Sequence, residues 1–544
     1  MLSTMQPTQL NISTILDFGA TVHKDAKVTT WTDQGPRVVS FGEIGKRAAQ
    51  LAHALRGLGI DGDQRVATFQ WNNSEHMEAY LAVPSMGAVL HPLNIRLFPE
   101  QLAFVANHAE DKVVIVDPTL IPLLQPLLPK FSTVEHVIVT GGAAATLEAP
   151  EGVQVHDYEA LLAAQPTEFD WPEVDENTGA AMCYTSGTTG DPKGVVYSHR
   201  SIYLHSMQVC MSDGMNISLD DNVLAIVPMF HAMSWGLPYA AFLVGASLLM
   251  PERFLQPEPL AAMIASEKPT LAAAVPTIWQ AVDAYSVDHP IDMSSFRSVV
   301  VGGSSCPPEL IRKFRDKYGI NITHAWGMTE TSPIGTLSRP KADLPEEKQF
   351  ELRQTQGRLL AGVEARIVDD AGNALPWDGE SVGELEVRGP WITGSYYKVD
   401  APDSFDDGWL RTGDVGYIKP EAFLQLTDRA KDIIKSGGEW ISSVEVENYL
   451  LEHPSVAEAA VIGVPDPKWD ERPLATVVIK EGLADPDVEE LRAHLAERMA
   501  KWQVPERFAF VDEIPKTSVG KLDKKRIRSS HADGELNVLN ALEK

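Results

Sequence analysis

Apolar positions near the start of the chain recur at helical spacing. After Ser40, the residues Ile44, Ala48, Leu51, Leu55 and Leu58 follow at steps of four, three, four and three, which places them on one helix face. Ser40 with Glu43 three residues on forms a capping box at its start, and Gly57 and Gly59 end it. The pattern then shifts to short apolar runs, Arg65–Phe69, Val113–Val116 and Val137–Thr140, with helical stretches between them. Strands alternating with helices predict an α/β fold with a substantially parallel sheet. A later β-branched run, Val299–Val301, ends in Gly302-Gly303, and open α/β sheets bind ligands beyond the carboxyl ends of their strands.

Further on the helices drop out. Val363–Asp369 and Gly383–Gly389 read as strands joined by turns, a small β-rich subdomain. After Asp428 the chain restarts as a compact unit, with strands at Ala459–Gly463 and Ala475–Lys480 and a helix over Val488–Lys501. Asn222–Pro251 contains no Asp, Glu, Lys or Arg, but Pro228, His231, Gly236 and Pro238 interrupt it. It is expected to be buried core or pocket wall, not a membrane span.

Composition narrows the class. An apolar fraction of 44% and a charged fraction of 22% are those of a soluble globular protein. A formal net charge of −29 argues against a general binder of nucleic acid or anionic membranes, so a polyanion needs a local basic patch. Cys183, Cys210 and Cys306 are widely spaced and odd in number, which gives no disulfide framework or zinc site and fits a reducing cytoplasm. Met1–Asp17 lacks the basic and apolar regions of a secretory signal, so none is expected.

The densest candidate chemistry lies at Thr185-Ser186-Gly187-Thr188-Thr189-Gly190-Asp191-Pro192-Lys193-Gly194, after the strand candidate Ala180–Tyr184. Three glycines let the backbone approach a ligand, four hydroxyls and the exposed N–H groups can grip phosphate oxygens, and Lys193 adds a point charge. A Walker A loop runs straight into a helix. Here Val195–Tyr197 reads as another strand, with a helix only from about Ser198.

The wording of this loop resembles the phosphate loop of the adenylate-forming superfamily, which includes acyl-CoA synthetases, luciferases and peptide-synthetase adenylation domains. Four further segments agree in order: Trp326–Thr331, Gly408–Asp414, Asp428–Asp432 and Pro515–Lys521. Pro228–His231 and Lys435–Ser442 resemble fatty acyl-CoA synthetases and methylmercaptopropionate-CoA ligases most. The resemblance implies a large N-terminal domain, residues 1–429, of two α/β sheet subdomains plus a β-rich subdomain, and a small mobile α+β C-terminal domain, residues 430–544, hinged near Lys431. It implies an ATP-dependent carboxylic acid–CoA ligase acting through acyl-AMP, with ATP, Mg²⁺ and coenzyme A.

By the same resemblance, Thr185, Ser186, Gly187, Thr188, Thr189, Gly190, Lys193, Trp326, Gly327, Met328, Thr329, Asp414 and Arg429 bind ATP. Thr185 and Glu330 hold the metal, and these two with Lys193 and Lys521 form the catalytic set. A carboxylate is a suitable hard ligand for Mg²⁺. On charge alone Lys521 belongs to a solvated basic tail, and the resemblance instead brings it to the α-phosphate. Trp326 stands where many relatives have Tyr, which keeps a ring for adenine and removes a phenol. His231, Trp235, Gly302, Gly303 and Pro333 are expected at the acyl and carboxylate pocket, with Trp235 as gate. Gly437, Gly438, Glu439 and Trp440 are expected at the coenzyme A face.

The expected acid is a medium- or long-chain fatty acid. Alternatives are methylmercaptopropionate or another short acid, a fatty acyl-AMP ligase that loads a carrier protein, and a non-catalytic acyl-nucleotide sensor. A homodimer is expected, without nucleic acid or a transmembrane segment; peripheral membrane contact stays open.

Overall fold

The short β-branched runs and amphipathic helices of the first half assemble around two sheets. The computed structural model describes residues 1, 3–185, 191–436, 439–484, 486–517 and 522–541, without the side chains of 439 and 440. Within these residues one sheet has seven strands, in the order Gln154–Asp157, His136–Val139, Asp111–Val116, Arg65–Phe69, Val89–Pro92, Gly179–Tyr184, Gly194–Ser198. The pairings are parallel until the last, where Gly179–Tyr184 and Gly194–Ser198 run antiparallel.

A second sheet has a parallel core of Ser247–Met250, Asn222–Ala225, Leu271–Ala274, Ser298–Val301 and Ile322–Gly327. Past Ile322–Gly327 it turns antiparallel through Ile334–Leu337 and Gly357–Leu359 into Phe423–Arg429, Trp409–Ile418 and Gly383–Arg388. The β-rich subdomain expected from the sequence is therefore hydrogen-bonded onto the second sheet. The uncharged stretch supplies two parallel strands of that sheet and the helix Leu237–Val244, and most of it is buried, so its reading as core holds. No helix among the described residues is long and apolar enough to cross a membrane.

The helix Phe41–Gly57 buries Ile44, Ala48, Leu51 and Leu55 completely. Ser40 Oγ accepts the Glu43 N–H at 3.2 Å, but the Glu43 carboxylate lies 3.8 Å from Lys46, so only the serine half of the capping box forms. Later in the chain a six-stranded sheet forms around the hairpin Val456–Asp466 and Asp470–Ile479, joined in parallel by Arg507–Phe510. The helix Val488–Ala496 is shorter than its apolar pattern suggested. It ends in a turn where the N–H groups of Arg498 and Met499 share the Leu495 carbonyl.

Candidate active site

The glycine-rich loop joins the two antiparallel strands at the edge of the seven-stranded sheet, so it is a hairpin loop and not a strand-to-helix turn. Its base is closed by two bonds. Thr185 N–H donates to the Lys193 carbonyl at 2.9 Å, and Lys193 N–H donates to Thr185 Oγ1 at 3.0 Å. Ser186, Gly187, Thr188, Thr189 and Gly190 lie outside the described residues, as do Gly437, Gly438 and Lys521 and the side chains of Glu439 and Trp440.

A cavity of about 820 Å³ opens beside this base. Thr185 and Lys193 meet Trp326, Gly327, Met328, Thr329 and Glu330 there. His231, Trp235, Gly302, Gly303 and Pro333 line another part of the cavity, and Arg429 and Lys431 reach it from the end of the strand Phe423–Arg429 and the turn that follows. The described part of the expected site is thus brought together from both large sheets. Asp414 is the exception: it is buried beside the cavity lining, against Trp326 and Arg429.

Asp414 and Arg429 are cross-strand partners, with Arg429 Nε 2.6 Å from Asp414 Oδ1. Trp326 Nε1–H donates to Asp414 Oδ2 at 2.7 Å. Both carboxylate oxygens hold one partner, and each keeps a lone pair that a ribose hydroxyl can use. Sequence reasoning gave Trp326 a stacking role only; the bond to Asp414 is an addition. One ring face lies on Gly335, where a Cβ would stand 2.5 Å from the indole.

Glu330 is buried on a short turn, and its neighbour Thr329 gives its carbonyl to the Tyr197 hydroxyl at 2.7 Å. A Cβ on Gly327 would stand 1.9 Å from the Pro333 carbonyl oxygen, so only glycine permits this turn. Tyr396 O–H donates to Glu330 Oε1 at 2.8 Å. Tyr396 was missed from the sequence because it lies in none of the five motifs. The aromatic pair after Gly394 was the available signal.

The apolar wall has unusual backbone. Ala232, Met233, Ser234, Trp235 and Gly236 all have positive φ, from 42° to 78°, and form a left-handed turn. Such a conformation costs L-residues about 1–2 kcal/mol each. Buried bonds hold it, with Ser234 Oγ–H donating to the Val227 carbonyl at 2.7 Å and Ser234 N–H to the His231 carbonyl at 3.0 Å. Residues three apart align in so tight a turn, so Ala232 and Trp235 both face the cavity. The Trp235 indole lies against Gly302, where a Cβ would be 3.1 Å from Cη2. Gly303, at φ +81°, is fixed by its backbone conformation as well.

Beneath this wall His205 is fully buried. Its Nε2 accepts the Ile334 N–H at 3.3 Å, and Gly236 packs on its other ring nitrogen. Burial pushes its pKa down to about 3. Around Lys431 the helix Lys524–Ala532 is tied in by charge. Arg528 Nη2 donates to Asp432 Oδ1 at 2.7 Å and to the Lys431 carbonyl at 3.3 Å, and Lys524 Nζ lies 2.7 Å from Glu447 Oε1. Asp428 Oδ2 accepts both the Ser443 N–H and its hydroxyl at 2.6 Å.

The family model described as AMP-binding enzyme matches residues 17–397, and that of the AMP-binding enzyme C-terminal domain matches 445–521. The chain is 44% identical to a 3-methylmercaptopropionyl-CoA ligase of Ruegeria pomeroyi, over 98% of this chain and 99% of that one. It is 43% identical to a medium-chain-fatty-acid–CoA ligase of Ectopseudomonas oleovorans, over 98% of each. A crystal structure of the anthranilate CoA ligase AuaEII in complex with anthranoyl-AMP superposes with a TM-score of 0.87 at 26% identity, covering 98% of this chain and all of that one.

Proposed function

The chain belongs to the AMP-binding enzyme family and is an AMP-forming acid–CoA ligase using ATP, Mg²⁺ and coenzyme A, and from that premise we propose that its acid is a fatty acid with an uncharged aliphatic chain. The carrying observation is the wall where Trp235, Gly302, Gly303, Ala325 and Ile334 meet with no charged side chain among them. Such a surface suits an apolar chain and leaves a terminal carboxylate or ammonium unpaired. A short methylthio acid is the second reading. It is favoured by the indole of Trp235, which lies against Gly302 and takes up space at this wall, and a thioether packs much as a methylene does.

In the proposed reaction the carboxylate attacks the α-phosphorus of ATP to give acyl-AMP and pyrophosphate. The coenzyme A sulfur then attacks the acyl carbon and AMP leaves. Two anions approach in the first step, so Lys193 and Lys521 are proposed to stabilise the developing charge. Asp414, oriented by Trp326 and Arg429, is proposed to hold the ribose. The Glu330 carboxylate and the Thr185 hydroxyl are hard oxygen donors at one cavity, a set that fits Mg²⁺ brought in with phosphates. Bound there, the metal would neutralise phosphate charge.

The proposed division is residues 1–429 and 430–544, with Lys431 as the hinge whose rotation exchanges Lys521 for the Lys435–Ser442 face. Placing Gly437, Gly438, Glu439 and Trp440 at the coenzyme A face belongs to the same proposal. The proposed setting is a homodimer in the cytoplasm, and the three free cysteines support a reducing compartment. AMP release over straight-chain, branched, aromatic and methylthio acids, with and without coenzyme A, tests the acid. Higher kcat/KM for straight-chain acids than for methylthiopropionate is expected; the reverse order selects the second reading.

A further inference from the structure

Lys193 and Glu330 carry opposite charges at one cavity, and such groups normally pair and cancel. Among the described residues no ion pair joins them. A single side chain contacts both. The Tyr396 hydroxyl donates to Glu330 Oε1 at 2.8 Å, while the Lys193 ammonium lies 4.6 Å from the centroid of the Tyr396 ring. The hydroxyl gives the carboxylate a neutral donor, and the electron-rich face gives the ammonium a neutral seat.

The ring is itself held in place. Thr393 N–H donates to the Glu330 main-chain carbonyl at 2.8 Å, so the loop carrying Tyr396 grips Glu330 twice. Phe405 packs against the phenol with ring centroids 5.7 Å apart. Tyr396 also stands between the main cavity and a second one of about 450 Å³ that runs behind it past Ser198, Ser332 and Trp391.

We propose that Tyr396 is a positioning residue that keeps Lys193 and Glu330 apart, each aimed at its own part of the metal–nucleotide complex and neither neutralised by the other. This rests on the reading of Glu330 as metal ligand and Lys193 as phosphate ligand.

Binding of α,β-methylene-ATP, measured by calorimetry with Mg²⁺ and with EDTA, tests it without turnover. Tyr396→Phe keeps the ring and removes the hydroxyl. Its affinity should fall about tenfold with Mg²⁺, the loss of one hydrogen bond to a carboxylate, and stay unchanged in EDTA. Tyr396→Leu removes both contacts and should weaken binding in both conditions, while the KM for the acid holds in either variant. Equal weakening of Tyr396→Phe with and without Mg²⁺ would mark a merely structural residue and overturn the proposal, as would no weakening at all. Glu330→Gln separates the two levels. If it abolishes the gain from Mg²⁺ and Tyr396→Phe does not touch that gain, the role of Tyr396 fails and the metal reading stands. If Glu330→Gln leaves the gain intact, the metal reading fails and takes the proposal with it.

Discussion

Acidification should destabilise this chain through His205, and the size of the effect can be worked from its surroundings. The folded imidazole has its pKa pushed down to about 3 by burial, against an ordinary value near 6.5. Its Nε2 faces the Ile334 N–H, a donor that a protonated ring cannot accept. Below pH 6.5 the unfolded chain takes up a proton that the folded chain refuses. Stability is therefore full above that pH and is lost as pH falls, until the folded group titrates near 3. At about 1.4 kcal/mol per pH unit for one proton, moving from pH 7 to pH 5 removes about 2 kcal/mol through this residue. His205→Gln supplies an acceptor for the Ile334 N–H and does not titrate. Urea unfolding followed by tryptophan fluorescence at both pH values should show the variant losing about 2 kcal/mol less than the wild type. Other buried groups, such as His76 and His324 near 4 and Glu78 near 7, are present in both chains and cancel in the difference. If both proteins lose the same stability, the imidazole is not held neutral as argued.

Three further outcomes are expected. Gly302→Val places its Cβ 3.0 Å from the Ala325 carbonyl and 3.1 Å from the Trp235 indole, so kcat/KM for dodecanoate should fall about tenfold more than for butyrate. Trp326→Phe removes the donor to Asp414 and should raise the KM for ATP about fivefold, while the preference for ATP over 2′-deoxy-ATP narrows in a pyrophosphate exchange assay. Lys431→Pro fixes φ at the proposed hinge and should spare adenylate formation but stop acyl-CoA formation, with Lys521→Ala doing the reverse when acyl-AMP is supplied. Single-turnover assays of each half-reaction check this; loss of the same half-reaction in both variants rules out the hinge.

Much of the fold was legible because it rests on local chemistry. The face of Phe41–Gly57 follows from spacing alone, and the strands Arg65–Phe69 and Gly383–Arg388 coincide with their apolar runs to within a residue. The phosphate loop was legible because glycine and hydroxyl groups crowd into ten residues. What stayed hidden depends on distant parts of the chain. The Trp326–Asp414 bond spans 88 residues and Tyr396–Glu330 spans 66, and neither leaves a spacing to read. The left-handed turn was invisible for another reason. Ala232, Met233 and Trp235 have no preference for positive φ, so the surrounding packing imposes a conformation that local propensity opposes.

That turn limits how the pocket can diversify. Positive φ at 232–235 excludes proline outright and penalises valine, isoleucine and threonine heavily. Single changes that reshape this wall must therefore draw on alanine, glycine, asparagine, unbranched side chains and aromatic rings. Descendants of this sequence can enlarge or shrink the space at 232 and 235, but β-branched residues are closed to them there. A library built on this scaffold should show the same gap: survivors at these positions rich in small and aromatic residues, and empty of β-branched ones.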